Sequence, residues 1–363
     1  MPPNPAPGIN PVALTYTPPL QRRSTSPAPS PSGSTAASIP HPEPISSKVY
    51  HIAGLLVTVY GLEELTPSCT DVAVLWLLHP RLQTQECMAP FAAHIIAFDQ
   101  RNHGSREVSA IANEAWRGGN ENHAQDMFGC FQGTAADTSQ LIDYLPGYVF
   151  PRGDGDHSDP RRITGPHIAL GISLGGHAAW QCVLHDPRVS AAIVTIGCPD
   201  YERLMTDRAR LSKRKSWLDG NGAHFIGSAD FPASLADGVR RWDPAGLVFG
   251  ALRDGSGGRA KGHEHETDPP LTEREIAALQ PVLARHFANK RILCLSGGAD
   301  RLVPYKHAEP FMTWLKAATA PGTGFFEHGG LYLQDVVLPG VGHDVPPKMD
   351  RGTGSACPPT GMC

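Results

Sequence analysis

The sequence predicts an α/β chain: a mostly parallel central sheet covered by helices on both faces, with a helical cap inserted before one of the last strands. Three observations lead there. From Val72 onward, short continuous apolar runs alternate with helix-like stretches. One of those runs, His167-Ile168-Ala169-Leu170, feeds through Gly171-Ile172-Ser173-Leu174-Gly175-Gly176 straight into the helical stretch His177 to Leu184. Between Asp200 and Lys290 the alternation stops, and only helical patterns remain.

Each element has its own signal. Val49 to Leu62 alternates apolar residues and ends near Gly61, as one or two antiparallel edge strands would. Val72 to Leu78 is apolar throughout, the pattern of a strand buried on both faces. A short helix over Cys87 to Ala93 leads to a second buried strand, His94 to Asp99. A loop rich in Gly and Asn follows through Asn122, and Ala135 to Leu145 then has helical periodicity. Beyond the serine turn come a strand at Val189 to Ile196 and another at Arg291 to Ser296. A helix at Phe311 to Ala318 and a last strand at Leu331 to Leu338 complete the series. Inside the excursion, helices are expected at Glu202 to Trp217, Ala233 to Trp242 and Thr272 to Asn289. The last opens on the capping box Thr272-x-x-Glu275, and Pro281 should kink or divide it.

The resulting organisation is a Pro/Ser-rich, disordered segment at 1–45, a core at 46–200 and 291–345, a cap at 201–290 and a loose tail at 346–363. The net charge of −4 argues against nucleic acid as partner. The densest basic run, Arg208 to Lys215, reads as the solvated face of a helix. No run approaches the ~18 apolar residues of a membrane span, and no secretory leader pattern opens the chain. The eight cysteines are scattered without C-x-x-C spacing, which points to a reducing compartment. A cytoplasmic protein is expected, with an organelle leader around Arg22-Arg23 as the alternative.

The chemistry centres on Ser173. A serine between glycines two residues away on either side, on a strand-to-helix turn, is lifted clear of the sheet. The same turn presents the N–H of Leu174 to an oxyanion. A serine hydroxyl needs an imidazole base, and the imidazole needs a carboxylate to fix its tautomer. In this topology the order is serine, acid, histidine. Asp300 follows the strand at Arg291 to Ser296, within Gly297-Gly298-Ala299-Asp300. His343 follows the last strand, within Gly340-Val341-Gly342-His343. Asp200, in Gly197-Cys198-Pro199-Asp200, is the alternative acid.

These stretches resemble the α/β-hydrolase superfamily of capped serine hydrolases, from about Val49 to Asp344, and among them fungal hydrolases associated with secondary metabolism. His79-Pro80-Arg81 looks like that superfamily's His-Gly oxyanion loop, and Asp99 to Ser105 like its Asp-x-Arg-Gly-x-Gly-x-Ser loop. The resemblance implies an α/β-hydrolase fold and an oxyanion hole formed by the backbone N–H groups of Arg81 and Leu174. It implies that His79 braces the oxyanion loop and that Asp99 organises its own. Pro80 departs from the family glycine and has no N–H, which stiffens the loop.

The expected activity is hydrolysis of a carboxylic ester, lactone or thioester through an acyl-enzyme. Epoxide and haloalkane hydrolysis are disfavoured, because those relatives carry aspartate at the elbow. An acyltransferase using the same intermediate is one alternative, and a non-catalytic binding or scaffold protein on a hydrolase fold is another. No cofactor or metal is called for: His263-Glu264-His265 sits in a polar, glycine-rich stretch, and H-x-H alone fixes no coordination geometry. The partner is a small acyl substrate, and the oligomeric state stays open. His177 reads as a helix-start side chain, Asn120 to Asp126 as a loop able to line the pocket, and Trp217, Phe225, Phe231 and Trp242 as cap core or pocket wall.

Overall fold

The structure, a computed structural model, describes residues 45–345 apart from 67, 92–94, 152–159, 256–271, 321–324 and 327–329. The proline-rich leader before residue 45, the His263 to Asp268 cluster and the tail from Pro346 with Cys357 and Cys363 lie outside the described residues.

Eight strands form one sheet in the order β1-β2-β4-β3-β5-β6-β7-β8. The antiparallel edge pair is β1 (Ser47–Ile52) and β2 (Leu55–Tyr60), and β2 also runs antiparallel to β4. All other pairings are parallel, among β3 (Val74–Leu78), β4 (Ile95–Phe98), β5 (His167–Ile172), β6 (Val189–Thr195), β7 (Arg291–Gly297) and β8 (Tyr332–Leu338). The alternation of side chains divides the apolar runs between two cores. Trp76, Ala192, Val194, Ile292 and Cys294 join the larger one, together with residues of helices α1 (His123–Val149), α2 (Leu174–His185) and α8 (Glu309–Ala318). Leu77, Leu170, Ile193, Leu293 and Leu295 face the other way, against Met88 of the 3-10 segment Gln85–Phe91.

Between β6 and β7 the chain forms α3 (Tyr201–Leu211), α4 (Lys215–Leu218), α5 (Ala233–Trp242), α6 (Pro244–Gly255) and α7 (Glu273–His286). The capping box at Thr272 and Glu275 is formed. Pro281 does not divide the helix: α7 runs through it as one element. The proline is exposed, as is Ala277, whose carbonyl it leaves without an intrahelical donor, so water can satisfy that group. Two further departures concern helix starts. α1 begins at His123, twelve residues before the apolar periodicity at Ala135, because its first turn is polar in composition yet buries His123 and Ala124. α6 was not expected at all: it opens on Pro244, with the Asp243 carboxylate accepting the Gly246 N–H at 3.2 Å.

α7 and α5 are both fastened to α2. His286 Nδ1–H donates to the Leu184 carbonyl at 2.8 Å, and His185 Nε2–H donates to Trp242 O at 3.0 Å. Lys290, buried just before β7, aims its ammonium at the end of α2. It donates to Asp186 O at 3.1 Å, Pro187 O at 3.4 Å and Val189 O at 2.7 Å. A cation there meets the negative end of the helix and carbonyls that would otherwise be orphaned. The parallel strands all end at one edge, and that edge carries the loops after β3, β5, β7 and β8. Replacing Lys290 by Met should lower stability by roughly 2–4 kcal/mol, because an isosteric chain leaves the carbonyls unpaired. A urea titration with an unchanged slope and a lower midpoint is the expected result, and an unmoved midpoint would remove this clamp from the account.

Candidate active site

β5 ends where α2 begins, and Ser173 is the single residue between them. Its backbone has φ 56° and ψ −111°, a conformation that non-glycine residues rarely adopt. Its neighbours hold it there. Ser173 N–H donates to Thr195 O at the end of β6 at 2.8 Å, and its carbonyl accepts the His177 N–H at 3.1 Å. A Cβ on Gly171 would overlap the Gly175 carbonyl, and one on Gly175 would overlap the Leu78 carbonyl at the end of β3. Both glycines are therefore required by close backbone approach.

Ser173, His343 and Asp300 lie together. The Ser173 hydroxyl is 3.0 Å from His343 Nε2, and His343 Nδ1 is 2.8 Å from Asp300 Oδ2. Nδ1–H faces a carboxylate, so Nε2 is the nitrogen free to accept the hydroxyl proton. Asp300 is 5% exposed. Its other oxygen accepts the N–H groups of Leu302 at 2.7 Å and Val303 at 2.9 Å. Burial alone would raise its pKa, but His343 and these two amides outweigh burial and hold it below the usual carboxylate value. The loops carrying acid and base are stitched to each other through Gly298 N–H to Leu338 O at 2.9 Å and Ala299 N–H to Val341 O at 2.8 Å. Asp200, the alternative acid, is instead the N-cap of α3 and accepts the Arg203 N–H at 2.9 Å.

The loop after β3 is fixed by His79. Its Nδ1–H donates to Pro80 O at 2.8 Å, and its Nε2 accepts the Gln100 N–H at 2.9 Å, while the Gln100 side-chain amide donates to the His79 carbonyl. Asp99 gathers the next loop, accepting Gln85 N–H, Ser105 N–H and the Ser105 hydroxyl at 2.8–2.9 Å. Leu174 N–H opens α2 and so has no intrahelical acceptor. Arg81 N–H meets no acceptor among the described residues. His177 lies behind the elbow, with Nδ1–H donating to Ser173 O at 2.8 Å and no role toward the cleft.

Ser173, Leu174, Arg81 and His343 open onto one cleft of about 180 Å³. Its other walls come from Trp116, His123, Met127, Leu211 and Leu302, among others. The stretch at Asn120 to Asp126 thus contributes His123, as the first turn of α1. Phe225 and Phe231 are wholly buried in the core, and Trp217 and Trp242 pack against it; none of the four lines the cleft. The expectation that Arg208 belongs to a solvated face is wrong. It sits four residues after buried Leu204 and three after buried Met205, on the inward side of α3, and lines the cleft. The signal lies in this spacing around the helix, which the density of charge along the chain does not show.

Three histidines near these elements are held neutral. Burial lowers the pKa of His79, His177 and His185 to about 4 in each case. Their ordinary value near 6.5 applies once the chain unfolds, so between these limits the unfolded chain binds more protons. Stability should therefore fall as pH drops from about 6.5 towards about 4, by up to ~1.4 kcal/mol per pH unit for each histidine. The contribution of ionised Asp300, whose pKa is depressed, is lost only at lower pH. Urea midpoints measured across this range should decline steadily, and a flat profile would contradict neutral burial of these rings.

Among solved structures, the Thermus thermophilus protein TT1662 is 16% identical with a TM-score of 0.49, covering 86% of this chain and 95% of that one. The Pyrococcus furiosus esterase Pf2001 is 11% identical, TM-score 0.41, over 86% of this chain and 90% of its own. The Pyrococcus horikoshii acylaminoacyl peptidase is 12% identical, TM-score 0.44, over 85% of this chain; the chain spans 40% of the peptidase. No curated protein matches the sequence. Residues 73–351 match the model of the alpha/beta hydrolase family, which spans most of the chain and takes in the elbow, the acid loop and the histidine loop. The chain belongs to the alpha/beta hydrolase family.

Proposed function

We propose that the protein is a serine hydrolase that cleaves a carboxylic ester, lactone or thioester through an acyl-enzyme on Ser173. The observation that carries this reading is the unbroken chain from the Ser173 hydroxyl through His343 to Asp300. His343 Nε2 takes the hydroxyl proton as Ser173 Oγ attacks the carbonyl carbon, and the carbonyl π electrons move onto oxygen. The N–H groups of Leu174 and Arg81 receive that charge, each donor contributing of order 10²–10³ in rate. Collapse of the tetrahedral species breaks the bond to the leaving oxygen or sulfur, which takes the proton back from His343. Water repeats the sequence from the same side: His343 accepts its proton, the acid is released, and Ser173 regains its hydrogen. Asp300 stays ionised throughout and stabilises the imidazolium.

The helical excursion from α3 to α7 acts in this reading as the cap expected from sequence, at least over α3, whose Arg208, Leu211 and Ser212 border the cleft. The domain limits are proposed as 46–200 and 291–345 for the core and 201–290 for the cap. The substrate is a small acyl compound.

Purified protein should hydrolyse a short-chain nitrophenyl ester. Asp300→Asn should keep KM within a few-fold and lower kcat by roughly 10³–10⁴-fold, because the amide favours the wrong imidazole tautomer. Added alcohol should leave the free acid as the main product; transfer to the alcohol in preference to water would make the enzyme an acyltransferase. Absence of turnover across a range of acyl lengths, or an Asp300→Asn rate equal to wild type, would overturn the reading.

A further inference from the structure

The cleft that holds Ser173 is lined by four arginines, Arg81, Arg117, Arg208 and Arg301, and, among the described residues, by no carboxylate-bearing one. Two of them are committed to this place by neutral partners only. Arg208 Nη2 donates to the Leu302 carbonyl at 2.9 Å, while its Nη1 contacts Met127 Sδ at 3.1 Å and His123 Nε2 at 3.3 Å. Arg81 Nη1 donates to the Asn113 carbonyl at 3.0 Å. Neither guanidinium forms an ion pair among the described residues, whereas Arg101, Arg106, Arg188 and Arg214 all do. The carboxylates that act on the pair from further away are Glu114 for Arg81 and Asp300 for Arg208, and Asp300 is already engaged by His343.

A guanidinium carries five N–H donors, and the three acceptors around Arg208 leave part of that capacity unused. Two such cations sharing one cleft repel each other, and Glu114 and Asp300 act on them only from a distance, without a direct ion pair. Burial, and then Arg81, lower the Arg208 pKa to about 10, so it remains charged at neutral pH. An anion that enters the cleft would meet both guanidiniums at once.

On the reading of Ser173 as nucleophile, we infer that Arg208 and Arg81 form an anion subsite beside it, and that the natural substrate is an ester or thioester bearing a carboxylate or phosphate close to the scissile carbonyl. Guanidinium groups suit both anions, because their paired N–H donors match two oxygens of either. The subsite orients the acyl compound and sets specificity, while the bond-breaking steps belong to Ser173 and His343.

Binding to the Ser173→Ala protein tests this without requiring turnover. Calorimetric titration should use the monomethyl ester of glutaric acid, the neutral dimethyl ester of the same length, and methyl phosphonobutyrate as the phosphate-like arm. At least one anionic ester should bind roughly ten-fold or more tighter than the neutral one, the gain expected of a charge-assisted pair. Which anionic arm is tighter identifies the class. Arg208→Gln and Arg81→Gln in the same background should each erase most of that advantage, and Arg208→Lys should restore part of it. Equal affinity of charged and neutral esters overturns the subsite, and this comparison needs no arginine variant to fold. An advantage that survives both glutamine variants also overturns the assignment. If the anionic preference holds while the wild type hydrolyses no ester, the hydrolase reading alone has failed.

Discussion

The left-handed backbone of Ser173 is the constraint on which the rest depends. Holding a β-carbon-bearing residue at φ 56° costs of order 1–3 kcal/mol and persists only where surrounding structure dictates it. Here the surroundings are the ends of three adjacent strands. Thr195 O fixes the serine N–H, the Leu78 carbonyl closes on Gly175, and Gly171 leaves room for the first turn of α2. If the chain relaxed to a common conformation, the hydroxyl would turn away from His343 and Leu174 N–H would change direction. The direction of the hydroxyl and the start of the helix are thus set by one residue's strain, offset by packing in the sheet.

Around that point the fold sorts its ionisable groups by role. Asp300 is kept ionised despite burial by an imidazole and two backbone amides. His79 and His177 brace the elbow and its neighbouring loop as neutral rings, which serve as hydrogen-bonding struts and add no charge near Ser173. The positive charge concentrates on the arginines of the cleft wall. A neutral scaffold, one carboxylate and a cationic wall make a site whose electrostatics favour incoming negative charge.

Much of this was legible in the residues. The apolar runs at Val74–Leu78, Val189–Thr195 and Arg291–Gly297 announce strands because parallel strands are buried on both faces. Asp300 and His343 could be singled out because each follows such a run, and loops at the carboxyl ends of parallel strands share one edge of a sheet. What escaped was governed by three-dimensional neighbours. The first turn of α1 is polar in letters but buries His123 under Trp116, 5.1 Å between ring centroids. α6 depends on Asp243, a buried carboxylate that also accepts the Tyr201 N–H across the excursion. Arg208 looked like one charge in a basic run, and only its position around α3 turns it inward.

The most direct test of the central claim is to map the residue that reacts with a fluorophosphonate. The folded protein should gain one phosphonyl group, located by peptide mass spectrometry on Ser173, and His343→Ala should slow the reaction by orders of magnitude. A folded protein that stays unmodified, or that carries the group on another residue, would contradict the account of Ser173 as a strained, base-activated nucleophile.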